Sequence, residues 1–467
     1  MITKIKWKNH NILGKLELDF TKKDGTPYNT VIIAGENGCG KTKILSSLAA
    51  ALSEKYFDNF DYIEYVTSSG KKESYPTKLD YGESISLQSS NPKKDGFRSD
   101  GSADDNDFDI NTCGVAYAKA RSELVEIFYN SIAKNELDSE KISMDSDDTT
   151  KIVQFLIDIS EHDNFDLKKL LDENNDDVKG NSISLEEKIK SFKENARLYR
   201  FEQAFNNFFE NIKFKNIVNS SDKKKILFIK FSKDISIDEL SLGEKQIVFR
   251  GSYLLKNQKI LDGGIVLIDE PELSMHPLWQ EKVLGYYRDL FTVEGEQTVQ
   301  MIVATHSEYV IKSALEDKGN ALVISLKNNN GIIEVNKVDT PQVLQTITLA
   351  ETNYFTFNII STDYHIQLYG YLQYLTGNDA ITSCDNYIAN YIINKNKDRN
   401  VFIKPSSYTN QNGNTTNYQT LSTYIRNNID HPDNGNKYTE DELKASIELL
   451  IEIIKDCKIS IDVTTTT

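Results

Sequence analysis

Gly35-Glu36-Asn37-Gly38-Cys39-Gly40-Lys41-Thr42 sets glycines, a lysine and a threonine at the spacing GxxxxGK[ST], a pattern whose chemistry is the cradling of phosphate. Gly35, Gly38 and Gly40 let the backbone curl without Cβ clashes, so that successive N–H groups face one anion. A helix starting near Lys41 adds the positive end of its dipole, Lys41 brings a mobile cation, and the Thr42 hydroxyl is a ligand for Mg²⁺. Two further sets of residues can act on such a phosphate. Asp269 and Glu270 close an apolar run, and their carboxylates divide the work: Asp269 serves the water shell of Mg²⁺, and Glu270 orients or deprotonates an attacking water. His306, in Thr305-His306-Ser307 behind another apolar run, can donate a hydrogen bond to the terminal phosphate.

Periodicity gives the elements that must hold these groups. Residues 30 to 34 are continuously apolar and read as a buried strand, while Ile44, Leu45, Leu48, Ala49 and Leu52 recur at helical spacing behind the loop. Residues 264 to 268 and 299 to 304 read as two more buried strands. Pro271 ends the first sharply, and Pro277 suits the first turn of a helix carrying Trp279, Val283, Tyr286 and Leu290. Leu240-Ser241-Leu242-Gly243-Glu244-Lys245-Gln246 opens a helix running towards Leu255. Residues 2 to 20 alternate and turn at Asn9-His10-Asn11, which predicts two short strands. Strands alternating with helices from 30 to 310 predict an α/β fold with a mostly parallel sheet and ligand groups at the strands' carboxyl ends.

Other stretches interrupt this pattern. From about 66 to 111 the chain is polar and rich in Gly, Ser, Lys and Asp, and a mobile loop or weakly ordered insertion is expected. Residues 115 to 129 predict a short strand running into a helix, with a helical insertion after it. Its clearest helix opens on the capping box Ser184 and Glu187. Leu185, Ile189, Phe192, Ala196 and Tyr199, then Phe201, Phe205, Phe208 and Ile212, cover one broad face. That aromatic stripe reads as core, and no sustained heptad predicts a coiled coil. Residues 226 to 231 predict a strand behind Lys223-Lys224-Lys225, a solvated strand entry or else a nucleic-acid contact. Near the C-terminal end, Thr439 and Glu442 form a capping box for a helix with Leu443, Ile447, Leu450 and Ile454 on one face. The expected plan is a first lobe over 1–115 with its insertion at about 66–111, a helical insertion over 116–222, a second lobe over 223–340 and a helical C-terminal region over 341–467.

The 467 residues suffice for one large domain or two to three ordinary ones. A formal charge of −16 argues against a surface coated in nucleic acid, while leaving room for a local basic groove. Cys39, Cys113, Cys384 and Cys457 form no CxxC pair and no metal-ligand spacing. Free thiols in a reducing cytoplasm are expected, with Cys39 a small filler of the glycine-rich turn and not a nucleophile. The opening MITKIKWKNHNIL lacks a signal-peptide core, and no apolar run of about 18 residues occurs, so a soluble cytoplasmic protein without a membrane anchor is expected.

In order along the chain, GENGCGKT, LSLGEKQ, VLIDEPELSMHP and ATHS resemble the Walker A, signature, Walker B with D-loop, and switch-histidine motifs of ABC-type ATPase heads. The Glu-Lys-Gln signature resembles the SMC, RecF and OLD branch rather than membrane transporters. The resemblance covers roughly residues 1 to 340 and implies a P-loop ABC-type ATPase head that uses ATP and Mg²⁺. It also implies a homodimer or higher homo-oligomer in which two heads sandwich two ATP molecules. The ATP-binding residues it implies are Gly35, Asn37, Gly38, Cys39, Gly40, Lys41, Thr42 and Lys43 of one head, with Ser241, Gly243 and Glu244 of the other. Thr42 and Asp269 are then metal ligands, and Lys41, Glu270 and His306 the catalytic set. A serine hydroxyl and N–H groups at a helix start suit a γ-phosphate. Leu242 departs from the family, which carries a small residue there.

The segments DYHIQLYGYLQ, TLSTYIRNNIDHPDN and YTEDELKASIELL are similar to the tails of stand-alone bacterial anti-phage ATPases, notably the ATPase subunit of Septu and of Septu-linked retrons. That similarity implies a sensor or regulatory subunit controlling a separate nuclease, of HNH or else Toprim type. No Toprim-like acidic set follows His306, which counts against an OLD nuclease within one chain. Two alternatives stay open. Arg426 and His431 fit the RxxxxH signature of HEPN ribonucleases, with Pro432 biasing the imidazole back towards Arg426; the bland reading is that they brace a helix end or a partner surface. The other is a DNA-repair ATPase of the RecF sort, against which stand the acidic balance and the missing heptads.

Overall fold

The computed structural model describes residues 1–54, 57–67, 70–75, 78–79, 86–87, 113–120, 148–174, 185–220, 223–256, 263–317, 319–329, 331–338, 341–409, 415–432 and 437–465. The chain divides into two units, Met1–Lys337 and Val338–Thr467.

The first unit opens with β1 (Ile2–Trp7) and β2 (Glu17–Asp19), the antiparallel pair that the alternation predicts, with Asn9 in the left-handed region where the chain turns. β3 (Thr30–Gly35) and α1 (Lys41–Glu54) flank the glycine-rich turn. After them come β4 (Phe60–Val66), β5 (Lys72–Tyr75), β6 (Lys78–Leu79), β7 (Ser86–Leu87) and β8 (Val115–Ala118). An inserted helical segment holds α2 (Asp148–Asn174), α3 (Leu185–Asn195) and α4 (Arg197–Phe208). It leads into a three-stranded antiparallel sheet of β9 (Ile212–Ser220), β10 (Lys223–Lys230) and β11 (Lys233–Ser236). The chain continues through α5 (Leu242–Lys256), β12 (Ile265–Asp269), α6 (Pro277–Leu290), β13 (Thr292–Val293) and β14 (Glu296–Gln297). It ends the unit with β15 (Gln300–Thr305), α7 (Glu308–Glu316), β16 (Ala321–Asn329) and β17 (Ile332–Val338).

Six strands in the order β17-β16-β3-β15-β12-β8 form the central sheet, and β16, β3, β15, β12 and β8 run parallel. β3, β12 and β15 are buried along their whole length. A parallel strand covered on both faces has no solvent side, which is why the middle of each of these three reads as an apolar run without alternation. Asp269 lies in register with Ala304, and Thr305 with Ala34, so the carboxyl ends of the three strands are level. α1 packs on β3, β8, β12 and β15 and buries Ile44, Leu45, Leu48, Ala49 and Leu52. Full burial of an aliphatic side chain contributes about 1.5–3 kcal/mol, so this face anchors the start of α1, and with it Lys41 and Thr42. The α/β class, the mostly parallel sheet and the helical C-terminal unit agree with the sequence reading.

The apolar row from Leu185 to Ile212 is not one helix. Ala196 is extended, at φ −61° and ψ 146°, and separates α3 from α4, while Ile212 lies on β9. The cause is Asp163 on α2, which accepts from Leu198 N at 2.8 Å and from Arg197 Nη1 at 3.0 Å, with Asp166 accepting from Arg197 Nη2 at 3.1 Å. A carboxylate from another helix thus caps the first turn of α4, a signal absent from the local sequence. Phe201, Phe205 and Phe208 are core, as read. Arg197 is 5% exposed, so Asp163→Ala leaves a buried guanidinium with half its partners; a loss of about 2–4 kcal/mol is expected. A urea midpoint equal to that of the unaltered chain refutes this. Lys224 pairs with Glu161 of α2. Most of the polar stretch at 66–111, residues 121–129 and Ser184 lie outside the described residues.

The second unit is mainly helical: α8 (Leu349–Phe357), α9 (Thr362–Thr376), α10 (Ile381–Asn394) and α11 (Arg399–Phe402) precede a hairpin of β18 (Ile403–Thr409) and β19 (Thr415–Thr420). α12 (Leu421–Asp430) and α13 (Glu440–Thr465) complete it. Leu443, Ile447, Leu450 and Ile454 of α13 are buried. The capping box is made: Thr439 N donates to Glu442 Oε2 at 2.9 Å, and Glu442 N to Thr439 Oγ1 at 3.2 Å. Two of its buried polar side chains take partners within the unit. Glu351 accepts from the backbone N–H of Gln342, Val343 and Leu344, and burial pushes the His365 imidazole down to about 3, leaving it neutral beside Ser446 Oγ at 2.9 Å.

Candidate functional site

Gly38 and Gly40 stand at φ +87° and +84°, which side chains resist. At Gly35 the demand is close approach, since a Cβ would lie 2.4 Å from the Leu326 carbonyl oxygen on β16. The turn therefore exposes Asn37, Gly38, Thr42 and Lys43 while tucking the Cys39 thiol into the core. Lys41 is buried, and its Nζ donates to Gly35 O at 2.8 Å and Glu36 O at 3.0 Å. Burial lowers the pKa of this ammonium, against the pull of Cys39, Glu270, Asp269 and Glu272.

Asp269 ends β12, next to β15 in the sheet. Burial, reinforced by the charge of Glu270, raises its carboxyl to about 6, and the Thr42 hydroxyl, Lys41 and Arg250 act in the opposite direction. Tyr117 on β8 also hydrogen-bonds it, and burial followed by Asp269 raises the phenol. Asp269 Oδ1 is nonetheless buried without a partner. An orphaned carboxylate oxygen beside a threonine hydroxyl at a helix start is a hard-oxygen donor set, and it fits Mg²⁺. Among the described residues no group of three or more His, Cys, Asp and Glu could hold a metal; Mg²⁺ suits such a site because it keeps waters and phosphate oxygens as its remaining ligands.

Glu270 follows at φ +45°, its N–H donating to Ala304 O at 2.8 Å and its carbonyl accepting from Arg250 Nη1 at 3.1 Å. Its Oε1 is 3.5 Å from His306 Nδ1. The structure thus brings together Lys41, Thr42, Asp269, Glu270 and His306. It also recruits three residues that the motif reading passed over. Glu272 is buried against Thr305 and His306, and Arg250 ties Glu270 to the chain at Lys119 and Ala120. Tyr117 is the third. Glu272 had a signal, being the third acid in Asp269-Glu270-Pro271-Glu272. Arg250 had a weak one, a charge in the apolar row of its helix. Tyr117 had none, because only the pairing of β8 with β12 places it there.

At the start of α5, Ser241 and Leu242 are exposed. Gly243 has little room: a Cβ would lie 3.2 Å from the Trp279 ring. Glu244 follows on the same turn. Its carboxylate is buried, accepts from Ser241 N at 2.8 Å and pairs with Lys230 Nζ at 2.9 Å, so it caps the turn and shapes it from behind. In the second unit, Arg426 pairs with Asp430 at 2.7 Å, and the His431 ring stacks on Tyr408 with centroids 4.8 Å apart. Each has a partner of its own, and that geometry favours the bracing reading over a cutting pair.

A glycine turn leaving a central parallel strand for a helix, with acids and a histidine closing the neighbouring strands, defines the class: an α/β protein built to hold phosphate at its P-loop. Residues 31–312, more than half of the chain, match the family described as "AAA domain, putative AbiEii toxin, Type IV TA system", and the chain belongs to it. Over 154 residues it is 32% identical to the "Retron Ec83 probable ATPase" of Escherichia coli, covering 31% of this chain and 26% of that one. Over 99 residues it is 32% identical to the "Retron Vc95 probable ATPase" of Vibrio cholerae serotype O1 biovar El Tor, covering 19% and 18%. The matched stretches therefore span about a quarter of the first relative and less than a fifth of the second. Among solved structures, the SMC head domain from Thermotoga maritima matches 73% of this chain and 99% of its own at 13% identity and a TM-score of 0.34. An SMC head bound to the C-winged helix domain of ScpA matches 72% and 98% at 12% and 0.39. No described helix is long and apolar enough to cross a membrane.

Proposed function

We propose that this chain binds and hydrolyses ATP as an ABC-type head, working as a homodimer with nucleotide between two copies. The observation that carries the reading is the meeting of Lys41, which follows β3, with Asp269 and Glu270 at the end of β12, two parallel strands level with each other on either side of β15, with Asp269 Oδ1 buried and unpartnered. Backbone N–H groups of the turn and the Lys41 ammonium hold the β- and γ-phosphates. Glu270 takes the proton of the water that attacks the γ-phosphorus, and the bond to the β-phosphate oxygen breaks to release ADP and phosphate. His306 donates to the γ-phosphate. Thr42 and Asp269 are the residues that would hold Mg²⁺, which would supply neutralisation of the negative charge on the phosphates. Ser241 and Gly243 of the second copy close the site.

In the cell, we propose, this ATPase is the regulatory subunit of an anti-phage complex, a Septu-like or retron-linked one, that controls a separate HNH nuclease. Support comes from the similarity to two retron probable ATPases and from the tail segments. Two measurements test it. Ser241→Arg fills the partner's γ-phosphate space from an exposed position, so ATP still binds the single chain while the ATP-induced doubling of mass and phosphate release are lost; hydrolysis at the unaltered rate sinks the sandwich. Affinity capture of the chain from its native host is expected to recover a nuclease, and recovery of this chain alone sinks the partner.

A further inference from the structure

Glu272 is the most deeply buried acid at the site that the mechanism leaves unused. It is 3% exposed, while the His306 side chain beside it is 44% exposed. Its Oε1 accepts from Thr305 Oγ1 at 2.7 Å and His306 N at 3.1 Å, and lies 3.4 Å from His306 Nδ1. The second oxygen, Oε2, is buried with no partner. Taking a carboxylate out of water and satisfying only one oxygen is costly, and the Thr305 hydroxyl and the His306 amide are a modest return if the role is packing alone.

We infer that Glu272 is a positioning residue that grips both the backbone and the Nδ1–H of His306, fixing the imidazole's tautomer and aiming Nε2 at the terminal phosphate. The inference rests on the ATP-hydrolysing reading of the site. The nitrogen of an imidazole that carries the proton is set by the bond its other nitrogen makes. Glu272 reaches the histidine at two points, the amide and the ring, so the turn after β15 and the side chain are fixed as one piece. At 3.4 Å the ring contact is long, as catalytic contacts are before substrate closes them. Glu270 stands 3.5 Å from the same nitrogen. With Glu272 holding the ring proton, Glu270 is released to meet water; without it, the base is drawn onto the histidine.

The test uses the full chain with ¹⁵N-labelled histidine, the His306 signal being assigned as the one lost in His306→Ala. At a pH where the ring is neutral, the unaltered protein is expected to show the Nδ1–H form and Glu272→Ala a shift towards Nε2–H. In the same variant, kcat for ATP falls roughly tenfold to hundredfold, the usual cost of removing an outer partner from a functional imidazole, while KM changes less than about threefold. Glu272→Gln keeps an acceptor oxygen in place and is expected to retain the fold and to recover most of the loss. His306→Ala combined with Glu272→Ala is no slower than His306→Ala alone. An unchanged tautomer in Glu272→Ala, or losses that multiply in the double variant, overturns the inference. Absence of phosphate release from the unaltered chain overturns the ATPase reading instead, and the tautomer measurement, which needs no turnover, still decides the role of Glu272.

Discussion

Glu270→Gln is expected to slow ATP hydrolysis by about 10²–10⁴-fold, the usual contribution of a general base, while ATP stays bound. The amide keeps the size of the side chain and the backbone contacts that hold it, from Glu270 N to Ala304 O and from Arg250 to Glu270 O. It cannot take a proton from water. Lys41 and Thr42 are untouched, so on the proposed reading nucleotide remains on the protein and the closed assembly accumulates. Phosphate release in a single turnover, together with nucleotide occupancy and mass after desalting, checks this. Release within about threefold of the unaltered rate excludes Glu270 as the base.

Lys41→Met is expected to weaken ATP binding by at least about 100-fold, about 2.7 kcal/mol. On the proposed reading the Lys41 ammonium meets the phosphates, and a methionine of similar length fills the same buried path without charge. Without nucleotide the change removes the bonds to Gly35 O and Glu36 O and the attraction of Glu270, Asp269 and Glu272, which the relieved burial of the ammonium offsets in part. Folding stability should therefore move by about 1–2 kcal/mol, so that lost binding is separable from lost structure. Calorimetric titration with ATP, run beside thermal unfolding, reads both. Affinity within about fivefold of the unaltered chain removes Lys41 from the phosphate site.

The parts of this site that local patterns announce are those whose physics is local. A glycine turn, an apolar run ending in acids and a proline at a helix start each declare themselves within a few residues, and Gly35, Asp269 and Pro277 all sit where those patterns put them. Helix breaks and buried partners obey distant groups. Asp163 splits an apolar row 35 residues further along the chain, and Tyr117 reaches Asp269 only because two strands far apart in sequence are neighbours in the sheet. Glu244 lies inside a motif, but the partner that holds its carboxylate from the strand side, Lys230, is 14 residues away and is not legible there; Ser241 N takes the other oxygen.

Glu270 occupies the left-handed region at φ +45°, where a residue with a Cβ gives up about 1–2 kcal/mol relative to glycine. Selection for thermal endurance alone would therefore favour glycine or asparagine at that position. On the reading proposed above, turnover is what an acid at this strained position is kept for, at the expense of some thermal endurance.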